Sequence, residues 1–204
     1  MKVDRVVTSG VFALDGQEWE VENNVWIVEA DGGGVVVVDA AHDHAAIAAA
    51  IGGRTVSAIV LTHGHNDHIN AAPALAEATG GAPLYLHPDD LMLWHHVFPD
   101  RNPDRWLADG LAVGGLTVIH TPGHSPGGCC LYDGAGALFS GDTLFRGGPG
   151  NTSRSFSSFP AVIESITTRL LGLPAATVVH TGHGEDTTIG EEAPHVDAWV
   201  ARGY

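Results

Sequence analysis

Thr62-His63-Gly64-His65-Asn66-Asp67-His68 packs three imidazoles and a carboxylate into one short loop, directly behind the apolar run Val56 to Leu61. In extended chain His63 and His65 share a side, and Asp67 and His68, at the start of the following helix, turn to a neighbouring point. Gly64 gives the backbone between them room to bend. This spacing suits two adjoining ions better than one, because imidazole nitrogen and carboxylate oxygen both bind zinc at ~2.0–2.1 Å. A helix-capping loop would need one polar residue here, not four.

Three other apolar runs end the same way. Leu116 to Ile119 leads to His124, Ala137 to Phe139 leads to Asp142, and Thr177 to Val179 leads to His183. Alone, each of these residues reads as a surface histidine or a turn former. Four such loops leaving strand ends are how a rigid scaffold presents a site.

Strand-like runs (Val21 to Ala30, Val35 to Asp39, Thr55 to Thr62, Pro83 to His87, Leu116 to His120, Gly128 to Tyr132, Ala137 to Ser140, Ala176 to His180) alternate with helical ones. The helical runs are His44 to Ile51, Ile69 to Thr79, Pro88 to Val97, Pro160 to Leu171 and Val196 to Arg202. The mixture predicts sheets in the middle and helices outside. No repeat, linker or composition break divides the 204 residues, so a single domain over 1–204 is expected.

Charge narrows the function. A net charge of -15, from 24 acidic against 9 basic residues, argues against nucleic acid as a partner and for a small molecule. No apolar run approaches the ~20 residues of a membrane span, and Met1 to Arg5 open no signal peptide, so a cytoplasmic protein is expected. Cys129 and Cys130 are adjacent on a strand, point to opposite faces and read as packing in a reducing compartment. His42, His44, His95, His96 and His195 lack ligand spacing, whereas His87, His120 and His180 stand at strand ends where they could back a ligand. Asp39, ending Val35 to Val38, is equally suited to orienting a ligand-loop histidine and to capping the next helix.

The motifs His63-Gly64-His65-Asn66-Asp67-His68, Gly123-His124, Gly141-Asp142-Thr143 and Gly182-His183-Gly184, in this order, resemble the metallo-β-lactamase superfamily, in particular its glyoxalase II (hydroxyacylglutathione hydrolase) branch. The resemblance runs from about Val21 through Ile189. It implies an α/β (α+β) fold, the metallo-β-lactamase αββα sandwich: two mixed β-sheets face to face with helices on both outer faces. It further implies that His63, His65 and His124 hold a first metal, that Asp67, His68 and His183 hold a second, and that Asp142 bridges both. Two divalent ions are expected, zinc first, with iron or manganese as substitutes. No cysteine replaces a ligand, unlike the thiolate-using branch of true β-lactamases.

The activity expected from this set is hydrolysis by a water held between the two metals, with a thioester as substrate and Asp67 as both ligand and proton acceptor. Two alternatives share the motifs: a mononuclear-iron persulfide dioxygenase, and a hydrolase of lactones or other esters. The carrier thiol is where the resemblance weakens. Asn151 stands where glyoxalase II enzymes commonly have a cation, no tyrosine follows His183, and the sequence ends at Tyr204, short of the helical extension of longer members. Asn151 and Arg146 are candidate substrate contacts, Arg154 is the other nearby cation, and the Ala, Gly and Val richness suggests a mycothiol-using organism.

Overall fold

Alternation along the inner strands decides the layering. In the strand Gln17–Glu29, Val25 and Ile27 face one apolar cluster while Trp26 and Val28 face another. In the strand Val35–Val38, Val35 and Val37 separate from Val36 and Val38 in the same way. Strands buried on both faces must be covered on both sides. The computed structural model, which describes residues 1–203, shows that arrangement.

The first sheet runs in chain order through β1 (Val3–Leu14), β2 (Gln17–Glu29), β3 (Val35–Val38), β4 (Val56–Val60), β5 (Leu84–Leu86) and β6 (Arg105–Trp106). It is mixed: β1 to β3 pair antiparallel, β3 to β6 parallel. The second sheet contains β7 (Ala112–Val113), β8 (Leu116–His120), β9 (Cys129–Tyr132) and β10 (Ala137–Gly141). After a separate hairpin of β11 (Leu144–Phe145) and β12 (Gly148–Pro149), β13 (Val178–Thr181) and β14 (Thr187–Thr188) complete it in the order β14-β13-β10-β9-β8-β7. It too is mixed, because β10 and β13 run parallel.

Helices α1 (His44–Ile51), α2 (Asn66–Ile69), α3 (Ala72–Ala78) and α4 (Leu91–Val97) bury Ile47, Ile69, Leu75 and Trp94 against the outer face of the first sheet. Helices α5 (Phe159–Ser165), α6 (Ile189–Glu192) and α7 (Val196–Arg202) bring Val162, Ile189 and Trp199 to the outer face of the second. The sheets meet through Trp26, Val36, Val60, Leu131 and Phe139. Cys129 packs between the sheets and Cys130 under the outer helices, so the two thiols point apart and are free.

Several elements depart from the sequence expectation. β1 was not anticipated, and β2 begins at Gln17 rather than Val21; the two form a long hairpin turned by Asp15 and Gly16, both at positive φ. The helix expected over Ile69 to Thr79 is split into α2 and α3, since Pro73 has no N–H to donate and is tolerated only in a first turn. The run after Pro160 is α-helical to Ser165 and continues as a π-helical turn, Ile166–Leu170. No helix among the described residues is long and apolar enough to cross a membrane.

Candidate metal centre

Each of the four strand ends delivers its polar loop to one place. β4 is followed by His63 to His68, β8 by His124, β10 by Asp142 and β13 by His183. The loop of His183 is fastened to β2, whose Asn24 side chain donates to the carbonyls of Thr181 and Gly184, both at 3.0 Å. Gly182 is required by close approach: any Cβ there would collide with Asp142 Oδ1.

The donor atoms form two adjoining groups. His65 Nδ1 lies 3.0 Å from both His63 Nε2 and His124 Nε2. His183 Nε2 lies 3.2 Å from His68 Nε2 and 3.3 Å from Asp67 Oδ2. Asp142 stands between them, with Oδ1 3.3 Å from His68 Nε2 and Oδ2 3.4 Å from His124 Nε2. Within each group the donor atoms fall within 4.8 Å of one another. A tetrahedral ion with ligands at ~2.0–2.1 Å sets its donors roughly 3.3 Å apart, so these separations match a coordination shell. All seven residues proposed as ligands from the sequence are thus brought together.

The outward ring nitrogens explain why the inward ones are available. His68 Nδ1 is 2.8 Å from Asp39 Oδ2, His124 Nδ1 is 2.9 Å from the Asn151 carbonyl and His183 Nδ1 is 2.6 Å from the Glu22 carbonyl. An N–H donated to each of these oxygens leaves the Nε2 lone pair facing the cluster. His63 Nδ1 meets Thr62 Oγ1 at 3.1 Å, a hydroxyl that donates to Asp39. Asp142 Oδ1 is buried with no hydrogen-bond partner. A buried carboxylate oxygen of that kind calls for a cation, and the donor set fits divalent metal.

Electrostatics divide the two groups. Burial pushes His63 and His124 down and takes His65 to about 3, which favours the neutral ring in all three. Burial opposes charge on His68 and His183 as well, but Asp142 and Asp67 outweigh it and raise His68 well above the ordinary value and His183 to about 10. Burial likewise resists ionisation of both carboxylates, yet the neighbouring imidazoles hold Asp67 at about 2 and Asp142 well below its usual range. The carboxylates thus favour a proton on each of these two rings, one that a bound cation would displace.

Residues the sequence did not single out complete the site. Asn23 is fully buried; its Nδ2 donates to Asp67 Oδ2 at 3.1 Å and stands 3.3 Å from His68 Nε2, while Oδ1 is 2.9 Å from His42 Nε2. Asn70 grips His42 through its backbone N–H and Nδ1, so His42 belongs to the support of the second group rather than to solvent. Asp90, also fully buried, accepts from Gly64 N, Ser125 Oγ and Gly127 N, tying the His63–His68 loop to the His124 loop.

Arg146 is exposed and bound to Glu185 at 2.9 Å, and Asn151 Oδ1 accepts from Ser153 N and Oγ, so both candidate substrate contacts carry local partners. His180 pairs with Asp186, and His87 stacks on His120 with ring centroids 4.0 Å apart and planes at 11°. Neither contact reaches the metal donors. Asp89 brings a carboxylate within 4.8 Å of ring nitrogens of both histidines, but His87 Nδ1 accepts the Asp89 N–H and His120 Nε2 faces the Pro126 carbonyl.

Comparison with known proteins agrees with this geometry. A sequence profile described as the metallo-beta-lactamase superfamily matches residues 19–183. Hydroxyacylglutathione hydrolase of Aeromonas salmonicida is 39% identical over 132 residues, covering 63% of this chain and 48% of that enzyme, so the chain spans about half of its length. The crystal structure of TTHA1623 in a di-iron-bound form superposes with a TM-score of 0.78 at 38% identity, covering 85% of this chain and 93% of that one. ETHE1 from Myxococcus xanthus matches with a TM-score of 0.76 at 22% identity over 96% of this chain and 83% of its own, a likeness of fold.

Proposed function

The chain belongs to the metallo-β-lactamase superfamily, most of whose members are metal-dependent hydrolases, and from that premise we propose that it is a dinuclear hydrolase cleaving an acyl thioester. The observation that carries the proposal is Asp142, whose carboxylate stands between the two donor groups, Oδ1 3.3 Å from His68 Nε2 and Oδ2 3.4 Å from His124 Nε2 and 3.5 Å from His183 Nε2. A residue so placed has a role in a two-metal site that a one-metal site does not need. The partial likeness to hydroxyacylglutathione hydrolase supports the thioester.

His63, His65 and His124 would hold one ion, Asp67, His68 and His183 the other, with Asp142 shared. Divalent ions held there supply Lewis acidity and bring the pKa of water towards neutrality. The donors are nitrogen and oxygen without thiolate, a set that suits zinc, iron or manganese; zinc is our first assignment, and TTHA1623 has a di-iron-bound form. Asp67 Oδ1, buried and without a partner, is the acceptor open to the proton that an attacking water gives up. Asn23 Nδ2 and the second oxygen of Asp67 are joined at 3.1 Å, which leaves Oδ1 the free one. The departing thiolate needs little protonation, so no general acid is required from the chain.

The test is metal analysis together with turnover. Two ions per chain and hydrolysis of acyl thioesters are expected. One iron per chain, with oxygen uptake and sulfite formed from a persulfide, would replace the proposal with the dioxygenase reading. Two ions with turnover of lactones but no thioester would keep the centre and discard the substrate.

A further inference from the structure

We propose that Arg154, held over the rings of Phe12 and Trp19, is the residue that binds a carboxylate on the substrate. The inference rests on the thioesterase reading and specifies its substrate class: a thioester carrying a negative charge near the scissile bond.

A cleft of about 450 Å³ is lined by the metal-donor residues Asp67 and His183 together with Phe12, Trp19, Val21 and Arg154. Arg154 is the only Lys or Arg among the described residues that line it. Its guanidinium lies 4.0 Å from the Trp19 ring centroid and 4.5 Å from that of Phe12, and these two rings are themselves stacked at 5.4 Å. Phe12 in turn sets its edge against the metal-donor residue His65, with centroids 5.3 Å apart.

The two rings hold the cation in place without taking its N–H groups as oxygen acceptors would. Arg154 makes no side-chain hydrogen bond or ion pair among the described residues, whereas Arg54, Arg146 and Arg169 each meet a carboxylate at 2.9, 2.9 and 2.6 Å. Arg5, Arg101 and Arg105 likewise have no carboxylate partner among the described residues, but Arg154 alone of these lines the cleft. Asp15 is near enough to feel the charge, but its Oδ2 accepts the Ser155 N–H at 3.1 Å. A planar fork of free N–H donors matches a carboxylate in two parallel bonds. Glu20 and Glu22, which also line the cleft, repel an anion elsewhere and leave Arg154 as its favourable place.

The fork is held in position from both sides. Ser157 donates to the Arg154 carbonyl through N and Oγ, and Ser155 ties the same loop to Asp15 at the hairpin turn. The hairpin is bound to the metal-donor loop by Asn66, which accepts from Ala13 N and donates to the Val11 carbonyl, both at 2.8 Å. Arg154 is therefore fixed relative to His65 and Asp67 through protein contacts, a condition for recognising charge at a set distance from the reacting bond.

The carboxylate could belong to the acyl part or to the thiol part, and matched substrates separate these sources. Succinyl and butyryl thioesters of one neutral thiol test the acyl side, and butyryl thioesters of 3-mercaptopropionate and propanethiol test the thiol side. For one pair, the metal-loaded protein is expected to prefer the anionic member by about tenfold or more in kcat/KM. Arg154→Gln should bring that ratio close to one, with Arg154→Lys between, because an ammonium keeps the charge but not the fork. An unchanged ratio in Arg154→Gln, or no preference for either anionic member, overturns the proposal. A second measurement is calorimetric binding of the corresponding non-cleavable carboxylated thioethers to both proteins. If no thioester is turned over, the thioesterase reading falls, and this binding alone decides Arg154: weaker binding to Arg154→Gln supports its role, equal binding removes it.

Discussion

Asp39 Oδ2 accepts the Nδ1–H of His68 at 2.8 Å while Asp39 Oδ1 accepts the Thr62 N–H, also at 2.8 Å. One carboxylate, at positive φ just past β3, thus sets both the ring of a second-group donor and the start of the loop that carries it. Asp39→Asn keeps the volume but weakens the acceptor behind His68. Affinity for the second ion should fall about 10–100-fold with the first ion retained. Metal content after dialysis against graded chelator checks this; equal retention of both ions would remove Asp39 from the site.

Asp142→Ala should abolish turnover and lower occupancy at both positions, because it removes the one carboxylate that faces both donor groups. His183→Ala should empty chiefly the second position. Ion-by-ion titration separates the two variants, and near-normal activity of Asp142→Ala with two ions bound would refute the shared role.

Asp90 makes a prediction about stability. It accepts Gly64 N at 2.8 Å, Ser125 Oγ at 2.7 Å and Gly127 N at 2.6 Å from a fully buried position. Asp90→Ala strands three buried donors, each worth ~1–3 kcal/mol when left unsatisfied, so a loss of about 3 kcal/mol or more is expected in urea unfolding of the metal-free protein. A change below about 1 kcal/mol would mean that water or backbone movement satisfies those groups.

The metal-free protein should be most stable near the ordinary imidazole pKa of 6.5. Burial lowers His63, His65 and His124, so below 6.5 the unfolded chain takes up protons that the folded one refuses, and stability falls with pH. Despite burial, carboxylate neighbours raise His68 and hold His183 at about 10. The stability their charge gives is complete below 6.5 and is lost as pH rises towards 10. Urea midpoints in chelator at about pH 5, 6.5 and 9 test this; a midpoint that climbs steadily to pH 9 would contradict it. At neutral pH, binding of the second ion should release protons, seen as a calorimetric enthalpy that varies with the buffer.

The donor set was legible because its chemistry is local: four short loops, each directly behind an apolar strand, carry all seven side chains. Asp39 was left between two roles that the structure separates, since Asp43 caps α1 and Asp39 faces His68. Asn23, His42 and Asp90 gave no signal, because their partners are distant in sequence and nothing in a strand or loop marks which polar residue turns inward. The hairpin arm β1 was missed for a different reason. Thr8-Ser9-Gly10 separates Val6-Val7 from Val11-Phe12-Ala13-Leu14, and Val7 and Val11 are exposed, so no continuous apolar run spans the strand, although Leu14-Asp15-Gly16-Gln17 contains a two-residue turn signal. Without that hairpin, the aromatic platform beneath Arg154 could not be foreseen.

The last prediction concerns the carrier thiol. Glutathione presents two carboxylates, and a site built for it gains from a cation at each. Asn151 has no charge and its Oδ1 is turned to Ser153, while Arg146 is engaged by Glu185 at 2.9 Å on the exposed surface. Of Asn151, Arg146 and Arg154, only Arg154 has no polar side-chain partner among the described residues, so at least one carboxylate of glutathione would find no cation. A charge-assisted hydrogen bond is worth ~1.5–3 kcal/mol, and each ~1.36 kcal/mol is tenfold in rate when the contact acts in the transition state. Lactoylglutathione should therefore be turned over at least about tenfold less efficiently than the same acyl group on a carrier with one carboxylate for Arg154, such as 3-mercaptopropionate. The measurement is kcat/KM for lactoyl thioesters of glutathione, 3-mercaptopropionate and mycothiol, the last having no carboxylate. A clear preference for glutathione would overturn the argument from Asn151 and Arg146, and equal rates on all three would place recognition in the acyl group instead.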